Sequence, residues 1–241
     1  MDLLRCLRRG ALSGVAGGAL AGGFGYLLAE PLMDRAVRLE GAREAASDAR
    51  LRSVGEAVPH HVEVFSRSTQ HVGFLLATVA TGLALGVLLG VLDAVLHRSE
   101  RAAWRGAVGL AAAAWFALSL VPFVRSPANP PGVGDPGTLD LRTRVYLSSL
   151  AIGIVGAVLA FRVAARVPRA SLRQLAVAGV LVATLAAVLL LPADPDVLEV
   201  PAGLLWQFRV LALATTTLLW AGLGAAYGLL AERDADRLVH V

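Results

Sequence analysis

Long apolar runs alternate with short polar segments along the whole chain. A helix that crosses the hydrocarbon core of a bilayer takes about 20 mostly apolar residues. Six stretches reach that length: 10–29, 71–96, 104–124, 144–164, 172–191 and 203–231. The pattern predicts a single all-α integral membrane domain over 1–241, a polytopic bundle of about six transmembrane helices. The second and sixth runs are long enough to tilt or to project beyond the lipid. The first is rich in glycine and follows Arg5, Arg8 and Arg9, so it also has the outline of a signal peptide. Its length, and the lack of a small-x-small site before Pro31, favour a retained helix.

The polar segments between the runs differ in charge, and the difference sets an orientation. The N-terminal tail (Arg5, Arg8, Arg9), the second loop (Arg98, Arg101, Arg105), the fourth connection (Arg162, Arg166, Arg169, Arg173) and the C-terminal tail (Arg233, Arg237) are basic. The fifth loop carries Asp194, Asp196 and Glu199 and no arginine. Short basic segments stay on the cytoplasmic side. Both termini are therefore expected in the cytoplasm, with the loops around 30–70, 125–143 and 192–202 outside.

Composition narrows the chemistry. Of the residues, 56% are hydrophobic and 17% charged, with a mean hydropathy of +0.67, which agrees with a membrane protein. All 22 basic residues are arginine. Without lysine there is no P-loop and no Schiff-base chemistry. The net charge of +4 is dispersed between apolar runs instead of gathered on one face, so nucleic acid is not an expected partner. The single cysteine, Cys6, excludes an internal disulfide and a cysteine-rich metal cluster. No GxSxG elbow and no grouped Ser, His and Asp set is present, so an enzyme is not expected, and no resident cofactor is implied.

Glycines recur at four-residue spacing: Gly10, Gly14, Gly18 and Gly22 in the first run, Gly82, Gly86 and Gly90 in the second, and Gly224 with Gly228 in the sixth. Lipid supplies no hydrophobic drive between helices, so small residues that let backbones approach do that work. The first two stripes predict tight interfaces, either with each other or with another subunit.

The polar residues that topology leaves unexplained lie on the outer side. Loop 30–70 is too long for a mere connection. Its first half reads as a surface or interfacial amphipathic helix. Its second half holds His60, His61 and Glu63 and runs through Arg67 and Gln70 to His71. Imidazole and carboxylate ligands in this pattern suit divalent cobalt, nickel or zinc; the other reading is a solvated polar loop. After the third run, Pro122, Pro127, Pro130, Pro131 and Pro136 stiffen a segment containing Asn129, either a cap on the bundle or the lining of an ion entrance. Each helix that re-enters from outside carries arginine near its start: Arg67, Arg142 with Arg144, and Arg209. Arg209 lies deep enough to need a partner or to snorkel, with Asp194, Asp196 and Glu199 nearest in sequence. Asp93, near the inner end of the second run, is expected to meet Arg98 or Arg101.

Val121-Pro122-Phe123 through Asn129-Pro130-Pro131, followed by Glu199-Val200-Pro201 and Leu205-Trp206-Gln207-Phe208-Arg209, resembles the CbtA family of probable cobalt transporter subunits. The Arg67–Gln70 re-entry, Arg142 with Tyr146, and the Trp220–Gly228 stretch follow in the same order, so the resemblance covers nearly the whole chain. It departs at Arg125-Ser126, where the family pattern has a basic-aromatic pair. The resemblance implies a membrane subunit of a cobalt uptake system serving cobalamin synthesis, with a small single-span CbtB-type companion. By position it marks Arg67, Gln70, Asn129, Arg142, Glu199 and Arg209 as functional, on the transport path or framing it. Metal capture is then expected at His60, His61, Glu63 and His71. The rival reading is a membrane scaffold whose glycine stripes bind partner helices without transport.

Overall fold

The computed structural model describes residues 3–58, 65–96, 103–131, 133–134, 136–193 and 200–239. Among them there are helices and no strand. The helices are α1 (Leu3–Leu28), α2 (Glu30–Ser53), α3 (Arg67–Val95), α4 (Ala103–Trp115), α5 (Val121–Arg125), α6 (Leu139–Arg166), α7 (Ala170–Leu189) and α8 (Ala202–Val239). A π turn over Phe116–Leu120 makes α4 and α5 one continuous rod. Counting that rod once, six helices are long and apolar enough to cross a membrane. Each overlaps one of the six expected runs, with ends that differ by up to eight residues. The exception to the pattern is α2, a mostly polar helix that buries only Glu30 and Ala36.

Arg9 near the start of α1 touches Asp234 near the end of α8, with Nε 2.7 Å from Oδ2. Both termini thus lie at one end of the bundle, as six crossings require. That is the terminal end. The loop end holds the α1–α2 junction and the starts of α3, α6 and α8.

The least apolar span is the most central. α1 packs between α3 and α8, and its buried face is Cys6, Arg9, Gly10, Ser13, Gly14, Gly17, Gly18, Ala21, Gly22 and Gly25. A helix covered by protein need not be greasy; it needs to be thin. The bundle is built around α1. The two glycine stripes meet each other. A Cβ on Gly86 would overlap the carbonyl oxygen of Gly10 and lie 2.7 Å from Cα of Gly14. One on Gly82 would lie 2.8 Å from Cα of Gly18. Gly17 faces α8 in the same manner, and Gly224 and Gly228 receive Ala111 and Trp104 of α4.

The apolar core between α1, α3, α4 and α8 centres on Leu89, Leu110, Trp220, Leu223 and Tyr227. A smaller one gathers Phe116, Val121 and Val188. Many large apolar side chains elsewhere face outwards, Leu175 and Val182 of α7 among them, as lipid solvent permits. The π turn has a local cause. Pro122 has no N–H to donate and its ring crowds the preceding turn, and one wider turn absorbs the misfit. Trp220 Nε1 then donates to Ser119 Oγ at 3.1 Å, which pins α8 to that turn.

Asp93 takes a partner from α8. Tyr227 donates its hydroxyl to Asp93 Oδ2 at 2.8 Å, and the two residues are 1% and 7% exposed. Arg98 and Arg101 lie outside the described residues. Removing one partner of a buried hydrogen bond strands the other, at about 1–3 kcal/mol. Tyr227→Phe is accordingly expected to lower the unfolding temperature in detergent, while Tyr26→Phe, on a half-exposed ring, leaves it unchanged. Equal melting of the two variants would mean that the Asp93 contact does not stabilise the fold.

Candidate metal centre

At the loop end, α1 passes into α2 through a single residue, Ala29. Pro31 follows in the first turn of α2, where its missing N–H costs nothing but its ring breaks the continuity with α1. Glu30 and Asp34, one helical turn apart, therefore share a face of α2. Opposite them α3 begins. Ser66 caps it, its Oγ accepting from the Thr69 N–H at 3.3 Å, and Gln70 Nε2 reaches back to the Phe65 carbonyl at 3.1 Å. The cap sets Arg67 and His71, again one turn apart, against the two carboxylates. The positive end of the α3 dipole also favours acidic neighbours there.

The contacts converge on one atom. Arg67 Nη2 lies 2.6 Å from Asp34 Oδ1, 2.8 Å from Glu30 Oε2 and 3.2 Å from His71 Nε2. Arg67 Nε makes a further bond to Asp34 Oδ1 at 3.0 Å, and Nη1 donates to Gln70 Oε1 at 2.5 Å. His71 Nε2 is 3.0 Å from Glu30 Oε2 and 3.6 Å from Asp34 Oδ1. The edge of Tyr26 packs on the imidazole, with ring centroids 5.9 Å apart. All three donor atoms of Glu30, Asp34 and His71 fall within 4.8 Å of one another. Hydrogen bonds from Arg67 hold the Asp34 carboxyl below its usual range. A depressed carboxylate contributes to stability above its ordinary value near 3.8, and the contribution is lost only as pH falls through the lowered value.

Of the residues expected to act, the structure brings together Arg67, Gln70 and His71. His60, His61, Glu63, Glu199, Asp194 and Asp196 lie outside the described residues. Glu30 and Asp34 were not singled out in the sequence, where they read as part of a polar helix. The signal was present as two four-residue spacings, Glu30 to Asp34 and Arg67 to His71, on helices joined by one loop.

A second polar contact stands at the same end. Arg209 Nη2 donates to Asn129 Oδ1 at 2.8 Å, which joins the start of α8 to the proline-rich segment. Among the described residues the partner of Arg209 is therefore an amide. Arg209 Nε is buried with no hydrogen-bond partner among the described residues. Arg125 Nε reaches the carbonyl of Leu191 at 3.1 Å, fastening α5 to the end of α7. Arg142 is half-buried in the first turns of α6. Arg209 also borders a cavity of about 790 Å³ lined mainly by Phe24, Phe123, Trp206 and Leu213. Two further cavities, of about 350 and 280 Å³, are lined almost wholly by alanine, valine, leucine and aromatic side chains.

The sequence model of the family described as "Probable cobalt transporter subunit (CbtA)" matches residues 3–232. The chain belongs to that family and is a multi-pass membrane protein. No curated protein and no solved structure matches it.

Proposed function

We propose, with membership of the CbtA family as the premise, that the chain is the membrane subunit of a cobalt uptake system that supplies cobalamin synthesis. The observation that carries this reading is the carboxylate, carboxylate and imidazole group at one end of an otherwise apolar bundle. In this reading the loop end faces outwards and both termini are cytoplasmic, as the arginine distribution favours. Asp194, Asp196 and Glu199 draw cations towards the loop end, and His60, His61 and Glu63 pass them to His71. Arg142, Arg209 and Asn129 brace the helix starts around that access. No enzymatic step is needed; the cobalt ion is cargo.

The path across the membrane is completed by a partner. The α1–α3 seam is closed backbone against backbone, and the cavities described above, which lie among the described residues, offer few polar groups to a hydrated ion. A small single-span CbtB-type subunit would supply the missing wall. The glycine stripes of α1 and α3 are consumed inside the chain, which weakens the scaffold alternative that needed them for partner helices.

The test is radiolabelled cobalt uptake in cells lacking their own importers. The chain with a candidate small subunit is expected to accumulate cobalt, and the same pair carrying His60, His61 and His71→Ala to fall towards background. A correctly inserted wild-type pair that moves no cobalt would overturn the importer reading and leave the scaffold.

A further inference from the structure

We infer that Glu30, Asp34 and His71 form the ligand face of a site for a divalent first-row metal ion, and that Arg67 is its resident placeholder, displaced when the ion binds. The inference rests on the importer reading for its choice of ion and on geometry for its residues.

Three donor atoms on two helices surround a single cationic nitrogen, Arg67 Nη2, at 2.6, 2.8 and 3.2 Å. The pocket is thus already organised about positive charge. For a metal with bonds of roughly 2.0–2.2 Å, neighbouring ligand atoms sit about 3.0–3.5 Å apart. Of the separations from His71 Nε2 to the two carboxylate oxygens, 3.0 Å matches such an edge and 3.6 Å lies just beyond it, with all three atoms within 4.8 Å of one another. One imidazole with two carboxylates is a borderline-to-hard donor set, suited to cobalt, zinc or manganese and poorly suited to copper(I). Three ligands on one side leave the remaining positions for water.

Arg67 makes the site exchangeable. With the guanidinium in place the two carboxylates are neutralised in part, and the helices hold together without metal. A doubly charged ion meets the same oxygens at shorter range and replaces it. The second branch of the guanidinium, Nη1, is already bonded to Gln70 Oε1, so Gln70 retains the displaced side chain. The same charge lowers metal affinity, as an importer that must release its cargo requires.

The experiment titrates cobalt(II) into the purified full-length chain in nanodiscs, following the visible ligand-field absorption and the heat of binding. One cobalt per chain is expected. His71→Ala and Glu30→Gln should each weaken binding about tenfold or more, the scale of losing a ligand or its support. Arg67→Gln should instead tighten it about thirtyfold, the effect of removing a unit charge about 4 Å from a doubly charged ion in water-like surroundings. Arg67→Lys, which keeps the charge, should remain near wild type. A gain of affinity cannot arise from misfolding, so the Arg67 series stays decisive even if a ligand variant is unstable. Wild-type affinity in His71→Ala and Glu30→Gln, or unchanged or weaker binding in Arg67→Gln, would overturn the assignment. Cobalt uptake run in parallel separates the two readings. A wild-type pair that transports, with ligand variants that bind and transport normally, sinks the site and spares the importer. A pair that does not transport, with the binding series as expected, sinks the importer and spares the site.

Discussion

Leucine at Gly86 is expected to remove the folded, monodisperse chain from detergent extracts, whereas alanine at Gly23 leaves it intact. Both residues lie in spanning helices, but only one is at a seam. A Cβ on Gly86 would overlap the Gly10 carbonyl and come within 2.7 Å of Gly14 Cα and 2.9 Å of its nitrogen. The obstructing atoms are backbone, which no rotamer change can move aside. A Cβ on Gly23 of α1 meets nothing within 4 Å. Helices in contact normally keep axes about 8–10 Å apart, and this seam is closer because neither side carries a side chain. Even Gly86→Ala forces α1 and α3 apart, with an overpacking cost of about 1–3 kcal/mol. The gain in helix propensity of about 1 kcal/mol on replacing glycine offsets part of that. Leucine adds three further carbons in the same closed space. The seam also carries the site, since α1 leads directly into Glu30 and α3 begins at Arg67. Loss of cobalt binding should therefore accompany loss of the fold. Thermal unfolding followed by size-exclusion chromatography checks the series, and wild-type melting of Gly86→Leu would show that α1 and α3 do not meet at these glycines.

The parts of this fold that were legible in the sequence are those set by lipid. Span number, approximate ends and the shared end of the two termini follow from run length and parity, and the glycine registers imply a tight interface. What local pattern could not supply was which helices pair. The first run looked the least membrane-like because glycine lowers its apolarity, yet for that reason it sits at the centre, where thinness matters more than transfer energy. The site was half legible. His71, Arg67 and Gln70 drew attention as polar residues at a helix start. Glu30 and Asp34 did not, because α2 is polar nearly all round and a charge on such a helix reads as solvated. Their meaning comes from the break at Ala29–Pro31, which turns one short stretch of α2 onto α3. Asp93 shows the same limit from the other side: packing brings it Tyr227 from the far end of the chain, a partner that proximity in sequence could not suggest.

Arg9 belongs to the N-terminal basic cluster, which by itself would be read as a topology signal and nothing more. The structure buries it: the side chain is 4% exposed and donates to Asp234 Oδ2 at 2.7 Å, with the Asp234 side chain 14% exposed. Removing one member of a buried ion pair costs about 3–5 kcal/mol, because the other charge stays desolvated. Arg9→Met is therefore expected to lower the unfolding temperature strongly. Asp234→Leu should do the same, leaving Arg9 buried against α8. Replacing both with apolar groups of similar volume removes the penalty along with the attraction, so Arg9→Met/Asp234→Leu should recover at least half of the loss. The double variant also separates the two roles of Arg9. It restores packing without restoring the positive charge, so recovery cannot come from corrected membrane orientation. Recovery in the double variant identifies a structural pair that ties the first helix to the last. Losses that simply add would instead mean that Arg9 acts through the charge rule alone, and that the contact with Asp234 contributes nothing of its own to closing the terminal end of the bundle.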